Sequence, residues 1–233
     1  MTIAIMQPYF LPYIGYFQLI KASHIFVFYD DVNFIKGGWI NRNYFNISGQ
    51  KNYITIPCKE ISSFKKINEV ELILNEINRT KILKSINQSY KGAPNFEPVF
   101  ELFKRIMAFQ SDSISRFSAN SIKEVSNYLD LDTVFYFSSE LPNIDTSLDR
   151  ADRLIKMVKQ LKGDTYVNVI GGQSLYFKEG FEINGVKLDF IETNTEKFLT
   201  EGSKSILDYS ILDLLMNENI DTVKSYLDDF IIH

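Results

Sequence analysis

The sequence predicts an α/β fold: an open, mostly parallel Rossmann-like sheet with a largely helical insertion or subdomain. Short apolar runs such as TIAIMQ, HIFVFYDD, TVFYFSSEL and TYVNVIGG alternate with segments of helical period, as buried parallel strands with crossover helices do. Between residues 64 and 130 the pattern turns mainly helical. The 233 residues are 45% hydrophobic and 23% charged, a globular balance that leaves no tract for disorder or a Gly/Ser linker. The expected organisation is one domain over 1–233. Residues 1–63 and 131–195 form its α/β core, 64–130 the helical segment and 196–233 the C-terminal helices.

TIAIMQ reads as the first strand, and YIGYFQLIKA, residues 13–22, as a helix by its apolar spacing. HIFVFYDD is a buried strand meeting a loop at two carboxylates. After the loop NFIKGGWINRNYF, the runs RNYFNI and YITIPC flank SGQK as a hairpin. KINEVELI reads as a further strand. NRTKILKSINQSYK is amphipathic, with Ile82, Leu83, Ile86 and Tyr90 on one face, and GAPNF breaks it at Pro94. EPVFELFKRIMAF and SISRFSANSIKEVSNYL give two more helices. After TVFYFSSEL, Asp145 or Ser147 is placed to cap a helix through RADRLIKMVKQL. TYVNVIGG is a strand ending in a glycine pair, and QSLYF a short helix. GFEINGVKLDFIE reads as a hairpin turning at Asn-Gly. SILDYSILDLLMNEN and DTVKSYLDDF close the chain as helices.

Composition excludes several classes. The net charge is −4 and the basic residues are scattered, which gives no footprint for nucleic acid. Cys58 is the single cysteine, so neither an internal disulfide nor a cysteine zinc site is available. His24 and His233 are the only histidines, and His24 falls at a helix-to-strand junction where a structural role is expected. No metal site built on cysteine or clustered histidines is expected. No apolar stretch is long enough to span a membrane, and the N-terminus lacks signal-peptide features, so the expected compartment is the cytoplasm.

In open parallel sheets, ligands bind beyond the carboxyl ends of the strands. That rule selects the loops 7–15, 30–43, 138–150 and 168–176. The first, in MQPYFLPYIGYFQLI, offers Gln7, Tyr9, Tyr13, Gly15 and Tyr16 as substrate-binding residues. A helix N-terminus there is able to hold a phosphate; a Pro/Gly turn that packs aromatics into the core is the other reading. The second, FYDDVNFIKGGWINRN, gathers Asp30, Asp31, Lys36, Trp39, Arg42 and Asn43. Its carboxylates suit a metal ion, a sugar-hydroxyl acceptor or a base, Lys36 and Arg42 an anion, and Trp39 a base or sugar ring. In the third, Asn168 precedes Gly171 and Gly172, whose amides suit an anion. In the fourth, Ser138 and Ser139 precede Arg150 and Arg153, for which surface pairing with Asp149 and Asp152 is expected.

The opening strand, loop and helix resemble the first unit of nucleotidylyltransferase-like proteins. Tyr13-Ile14-Gly15-Tyr16 stands where those proteins carry HxGH, with tyrosine at both histidine positions. GSKS at 202–205 faintly resembles the lysine loop of class I synthetases. IAIMQPYFLPYIGYFQLI, FYDDVNFIKGGWINRN, SYKGAPNF, YVNVIGGQSLY, GVKLDFIE and SILDLLMN together, in order, resemble the WbqC-like family of bacterial proteins. That resemblance implies a role in O-antigen or capsule biosynthesis. The first 43 residues are also similar in layout to pantothenate synthetase, which joins a carboxylic acid to an amine. The expected activity is therefore transfer of an acyl or aminoacyl group to a nucleotide-linked amino sugar, with Asp30, Asp31 and Lys36 catalytic. The partners are that nucleotide-linked sugar and a small acyl or aminoacyl donor; no cofactor is specified. A non-catalytic nucleotide-sugar-binding accessory and a glycosyltransferase are the alternatives.

Overall fold

Five apolar runs pair side by side, in parallel, in the computed structural model, which describes residues 1–194 and 207–233. They are β1 (Thr2–Met6), β2 (Ile25–Phe28), β5 (Val134–Phe137), β6 (Thr165–Val169) and β7 (Lys187–Thr193). A short antiparallel strand, β8 (Phe230–Ile232), completes the order β5-β2-β1-β6-β7-β8. The registers Ile3↔Ile25 and Thr2↔Thr165 align the carboxyl ends of β2, β1 and β6 along one edge. The mixed α/β class and the mostly parallel sheet expected from the alternating pattern are therefore present.

Strand alternation sends side chains to two apolar layers. Ala4, Phe26, Phe28, Val167 and Ile191 pack toward α1 (Ile14–Lys21), α4 (Ile114–Tyr128), α7 (Ile211–Asn217) and α8 (Ile220–Leu227). Ile3, Ile5, Val27, Tyr166 and Phe190 pack on the other face, against α5 (Arg150–Gln160) and α6 (Lys178–Ile183). Both faces of β1, β2 and β6 are covered, which is why they read as apolar runs, whereas TVFYFSSEL forms the edge strand β5, whose Val134 and Tyr136 are exposed and not buried as expected. The helices α2 (Glu76–Tyr90) and α3 (Phe96–Ala108) share the first layer with α4. The hairpin β3 (Arg42–Ile47) and β4 (Gln50–Thr55) stands outside the main sheet as its own two-stranded ribbon.

Several expectations are corrected. KINEVELI is no strand: it forms a single 3-10 turn at Ile67–Glu69 and isolated bridges, Asn33 to Lys66 and Glu71 to Ser113. The Glu69 carboxylate accepts the Lys66 amide, and the Ile67, Asn68, Leu72 and Ile73 amides donate to Val32, Asp30, Asp112 and Pro57 O, four scattered partners instead of one neighbouring strand. GFEINGVKLDFIE is no hairpin either. Lys178–Ile183 is helical, and Gly185, at φ +71°, ends it. The Val186 amide donates to Phe181 O and the Gly185 amide to Glu182 O, a Schellman closure that delivers β7 parallel to β6. Asn-Gly serves helix ends and hairpins alike, and the buried Phe181 and Val186 decide here. Helix α5 is capped by Asp149, which accepts the Asp152 amide, while Asp145 closes a turn at Ser147. Of QSLYF, Gln173–Leu175 end a 3-10 stretch over Ile170–Leu175, while Tyr176 and Phe177 are extended. The terminal Phe-Ile-Ile extends as β8 instead of prolonging α8. The GSKS reading at 202–205 lies outside the described residues.

The chain runs outward from β1 through β2 to β5, then returns to the other side of β1 for β6 and β7. The reversal falls between β1 and β6, where a crevice opens in sheets of this kind. No helix among the described residues is long and apolar enough to cross a membrane.

Candidate functional site

The loop leaving β1 is tied down by hydrogen bonds to its backbone. Gln7 O accepts the Tyr16 hydroxyl at 2.7 Å, and the Phe10 amide donates to Trp39 O at 2.9 Å. The Asn43 amide group donates to both Phe10 O and Leu11 O, at 3.2 and 2.7 Å. The Leu11 amide donates to Ser121 Oγ, and Pro12 O accepts from the Ile211 amide. Pro8 and Pro12 have no amide to satisfy. Leu11 sits at φ +42°, a strained position held by these bonds from four separate segments. The stiff opening loop is thus a rigid floor.

Against that floor lies a cavity of about 370 Å³ between the carboxyl ends of β1 and β6. Its wall holds Met6 and Val169 from those strands, Tyr9, Pro12, Tyr13 and Tyr16 from the loop and α1, and Trp39, Asn43, Tyr44 and Lys51 from the hairpin region. Leu207, Asp208 and Tyr209 complete it. The volume suits a nucleoside- or sugar-sized ligand. Burial pushes the phenols of Tyr9, Tyr13 and Tyr16 above their ordinary range, Tyr16 furthest, and adjacent phenols add to this at Tyr9 and Tyr16. They stay neutral, as apolar faces with a hydroxyl at the tip.

Gly15 has a steric task. A Cβ there would sit 2.5 Å from Tyr13 Cε2 and 2.9 Å from Thr193 Oγ1. Its absence lets the Tyr13 ring lie back on the first turn of α1, and so shapes the cavity wall.

The hairpin carries a ladder of rings and cations on its outer face. Tyr44 and Tyr53, directly opposed across the strands, stack at 3.9 Å. Arg42 lies over Tyr53 at 4.1 Å and Lys51 over Tyr44 at 4.5 Å, with Trp39 edge-on to Tyr44. The inner face, with Phe45 and Ile54, enters the core.

The structure brings Tyr9, Tyr13, Tyr16, Trp39 and Asn43 together at this cavity, with Gln7 and Gly15 behind the wall. It places the remaining sequence candidates elsewhere. Asp30 is wholly buried, accepting from Ser115 Oγ, Ser139 Oγ and the Ser139 amide at 3.0–3.1 Å. Asp31 pairs with the Arg153 guanidinium and accepts from Ser138 Oγ. Neither carboxylate lines the cavity. Arg153, expected on the surface, is 4% exposed and also donates to the Tyr29 hydroxyl at 3.1 Å. This network ties the end of β2 to α4, α5 and the 138–140 turn. Lys36 and Arg42 line a separate depression with Phe34, Gly37, Asn41, Thr55 and Ile61. Arg42 also donates to Gly37 O. Asn168 is buried and accepts the Val169 amide at 2.8 Å, and Gly172 leaves room for its side chain, since a Cβ would stand 2.7 Å from Asn168 Nδ2. Gly171 is exposed. Among the described residues, no group of three or more His, Cys, Asp or Glu is placed to hold a metal ion.

The WbqC-like protein family matches residues 7–225, nearly the whole chain. The chain belongs to that family. It is also similar to an uncharacterized protein, Rv1507c, of Mycobacterium tuberculosis (strain ATCC 25618 / H37Rv). The two are 25% identical over 221 residues, covering 92% of this chain and 93% of the other. No solved structure matches it.

In this WbqC-like chain, sequence reasoning missed Tyr44, Lys51, Asp208 and Tyr209. Tyr44 and Lys51 were legible as hairpin residues, and strand alternation places Tyr44 with Arg42 on one face. Asp208 and Tyr209 reach the cavity only through tertiary packing, with the Ser210 amide donating to Tyr44 O at 2.9 Å.

Proposed function

We propose that this WbqC-like protein binds a nucleotide-linked amino sugar and attaches an acyl or aminoacyl group to it, in cytoplasmic assembly of a bacterial surface polysaccharide. One observation supports this most: six aromatic side chains, Tyr9, Tyr13, Tyr16, Trp39, Tyr44 and Tyr209, line a single cavity at the β1/β6 reversal. Aromatic walls with few polar groups suit the flat face of a base and the apolar face of a sugar.

In the transfer, the sugar amine attacks the acyl carbonyl carbon. A C–N bond forms, the donor's leaving group departs with its electron pair, and the amine gives up one proton. The carboxylate lining the cavity is Asp208, which we assign as acceptor of that proton. Lys36 and Arg42, in the separate depression, are assigned to an anionic group of the acyl donor, with the Arg42–Tyr53–Tyr44 stack linking Arg42 to the cavity wall. Asp30 and Asp31 act by holding the loop that carries Trp39 and Asn43.

A second reading, ligand binding without catalysis, is favoured by the engagement of Asp30 and Asp31 with buried partners. Incubation with nucleotide-linked amino sugars, acyl donors and ATP, followed by mass spectrometry, separates the two. An acyl mass gain on the sugar that is lost in Asp208→Asn supports transfer. Saturable sugar-nucleotide binding with no product from any donor supports the second reading. Absence of both would contradict each.

A further inference from the structure

Lys51 is the one cationic side chain on the cavity wall among the described residues, and Asp208 the one carboxylate. They come from different segments, Lys51 from β4 and Asp208 from the segment before α7. Their oppositely charged atoms are 3.5 Å apart. That is longer than a charge-assisted hydrogen bond, and both side chains are partly exposed. The pair is loose. The position of the ammonium is not: it stands over the Tyr44 ring at 4.5 Å and near the Tyr209 ring at 5.4 Å. Aromatic faces on two sides hold a cation at the cavity mouth with a weakly attached counter-ion.

We propose that Lys51 is the anion subsite of the cavity, selecting ligands whose ring carries a phosphate or diphosphate, and that Asp208 occupies it in the empty protein. The inference rests on the nucleotide-sugar reading above and adds the charge rule that governs entry. A ligand phosphate takes the ammonium and Asp208 is released. Its carboxylate then faces the cavity unpaired, the state in which a carboxylate accepts a proton from an amine. Lysine suits this exchange because its ammonium is a compact point charge with rotatable donors, able to change partner without a fixed fork geometry. Arg42 is less suited, being held by Gly37 O and stacked on Tyr53.

The two residues should respond with opposite sign, which a purely structural ion pair would not do. Trp39, the single tryptophan, lies on the cavity wall and reports binding by its fluorescence. Uridine and UDP share a ring and differ in the anion. The full chain is expected to bind UDP at least about tenfold more tightly than uridine. Lys51→Gln should remove that advantage by weakening UDP alone, and Lys51→Arg should restore part of it. Asp208→Asn should tighten UDP several-fold, leave uridine unchanged and abolish acyl transfer. Rising salt should weaken UDP and spare uridine. Uridine and UDP bound equally by the unaltered protein, or both weakened alike by Lys51→Gln, would overturn the anion subsite and leave the ring cavity standing. No binding of either would overturn the ring cavity and the subsite together. Thermal unfolding of each variant is run alongside, and an unfolded Lys51→Gln is replaced by Lys51→Met.

Discussion

Gly15→Ala sets two known effects against each other. The residue lies inside α1, away from the left-handed region, so alanine should gain about 1 kcal/mol of helix propensity. The same Cβ would stand 2.5 and 2.8 Å from Tyr13 Cε2 and Cζ and 2.9 Å from Thr193 Oγ1. A tyrosine ring cannot bend aside as a flexible chain does, and overpacking of this kind costs about 1–3 kcal/mol. The steric cost should win, leaving a net loss of about 0–2 kcal/mol. The Tyr13 ring should move into the cavity and weaken ligand binding more than stability. Urea unfolding in a double-mutant cycle checks this. On a Tyr13→Ala background the ring is gone and only the Thr193 Oγ1 contact remains, so Gly15→Ala should cost less than it does alone. If Gly15→Ala alone stabilises the protein by the full helix increment, the ring does not rest on α1 and the account of the cavity wall is wrong.

Asn43→Ala strips donors from Phe10 O and Leu11 O; with each buried carbonyl worth about 1–3 kcal/mol, unfolding should ease by roughly 2–6 kcal/mol. A change under about 0.5 kcal/mol in urea would mean the loop stands without it. Arg153→Met leaves Asp31 buried and unpaired and should cost about 3–5 kcal/mol in the same assay, while Arg153→Met with Asp31→Leu recovers much of it. Burial pushes the Cys58 thiol up to about 12. Because the folded pKa lies above the unfolded one, this group's stabilisation is intact below the unfolded value, near 9, and is lost as pH climbs from there toward 12. Native protein should therefore resist alkylation at pH 8 and react after urea is added; rapid native labelling would contradict the burial.

The parallel sheet was legible because strands such as IFVF are buried on both faces and carry no polar interruption. The carboxyl-edge rule then found Tyr9, Tyr13, Tyr16, Trp39 and Asn43. It could not separate carboxylates that line a crevice from those that close a strand end. Asp30 and Asp31 look alike in sequence, and only Ser115, Ser138, Ser139 and Arg153, 84 or more residues away along the chain, show what they bind. The Asn-Gly of 184–185 was misread because a Schellman end and a hairpin use the same residues, and packing of Phe181 against Val186 makes the choice. Gly15 is expected from sequence as a substrate-binding residue; its observed task, room for the Tyr13 ring, depends on a side-chain direction that sequence does not carry.

The most direct measurement is a crystal structure of the protein with a UDP-linked amino sugar bound at saturating concentration. The expected result is ring density against Tyr9, Tyr13 and Trp39 in the β1/β6 cavity, with the diphosphate at Lys51. Density confined to another surface, or an empty cavity under conditions where binding is measured in solution, would contradict the central claim.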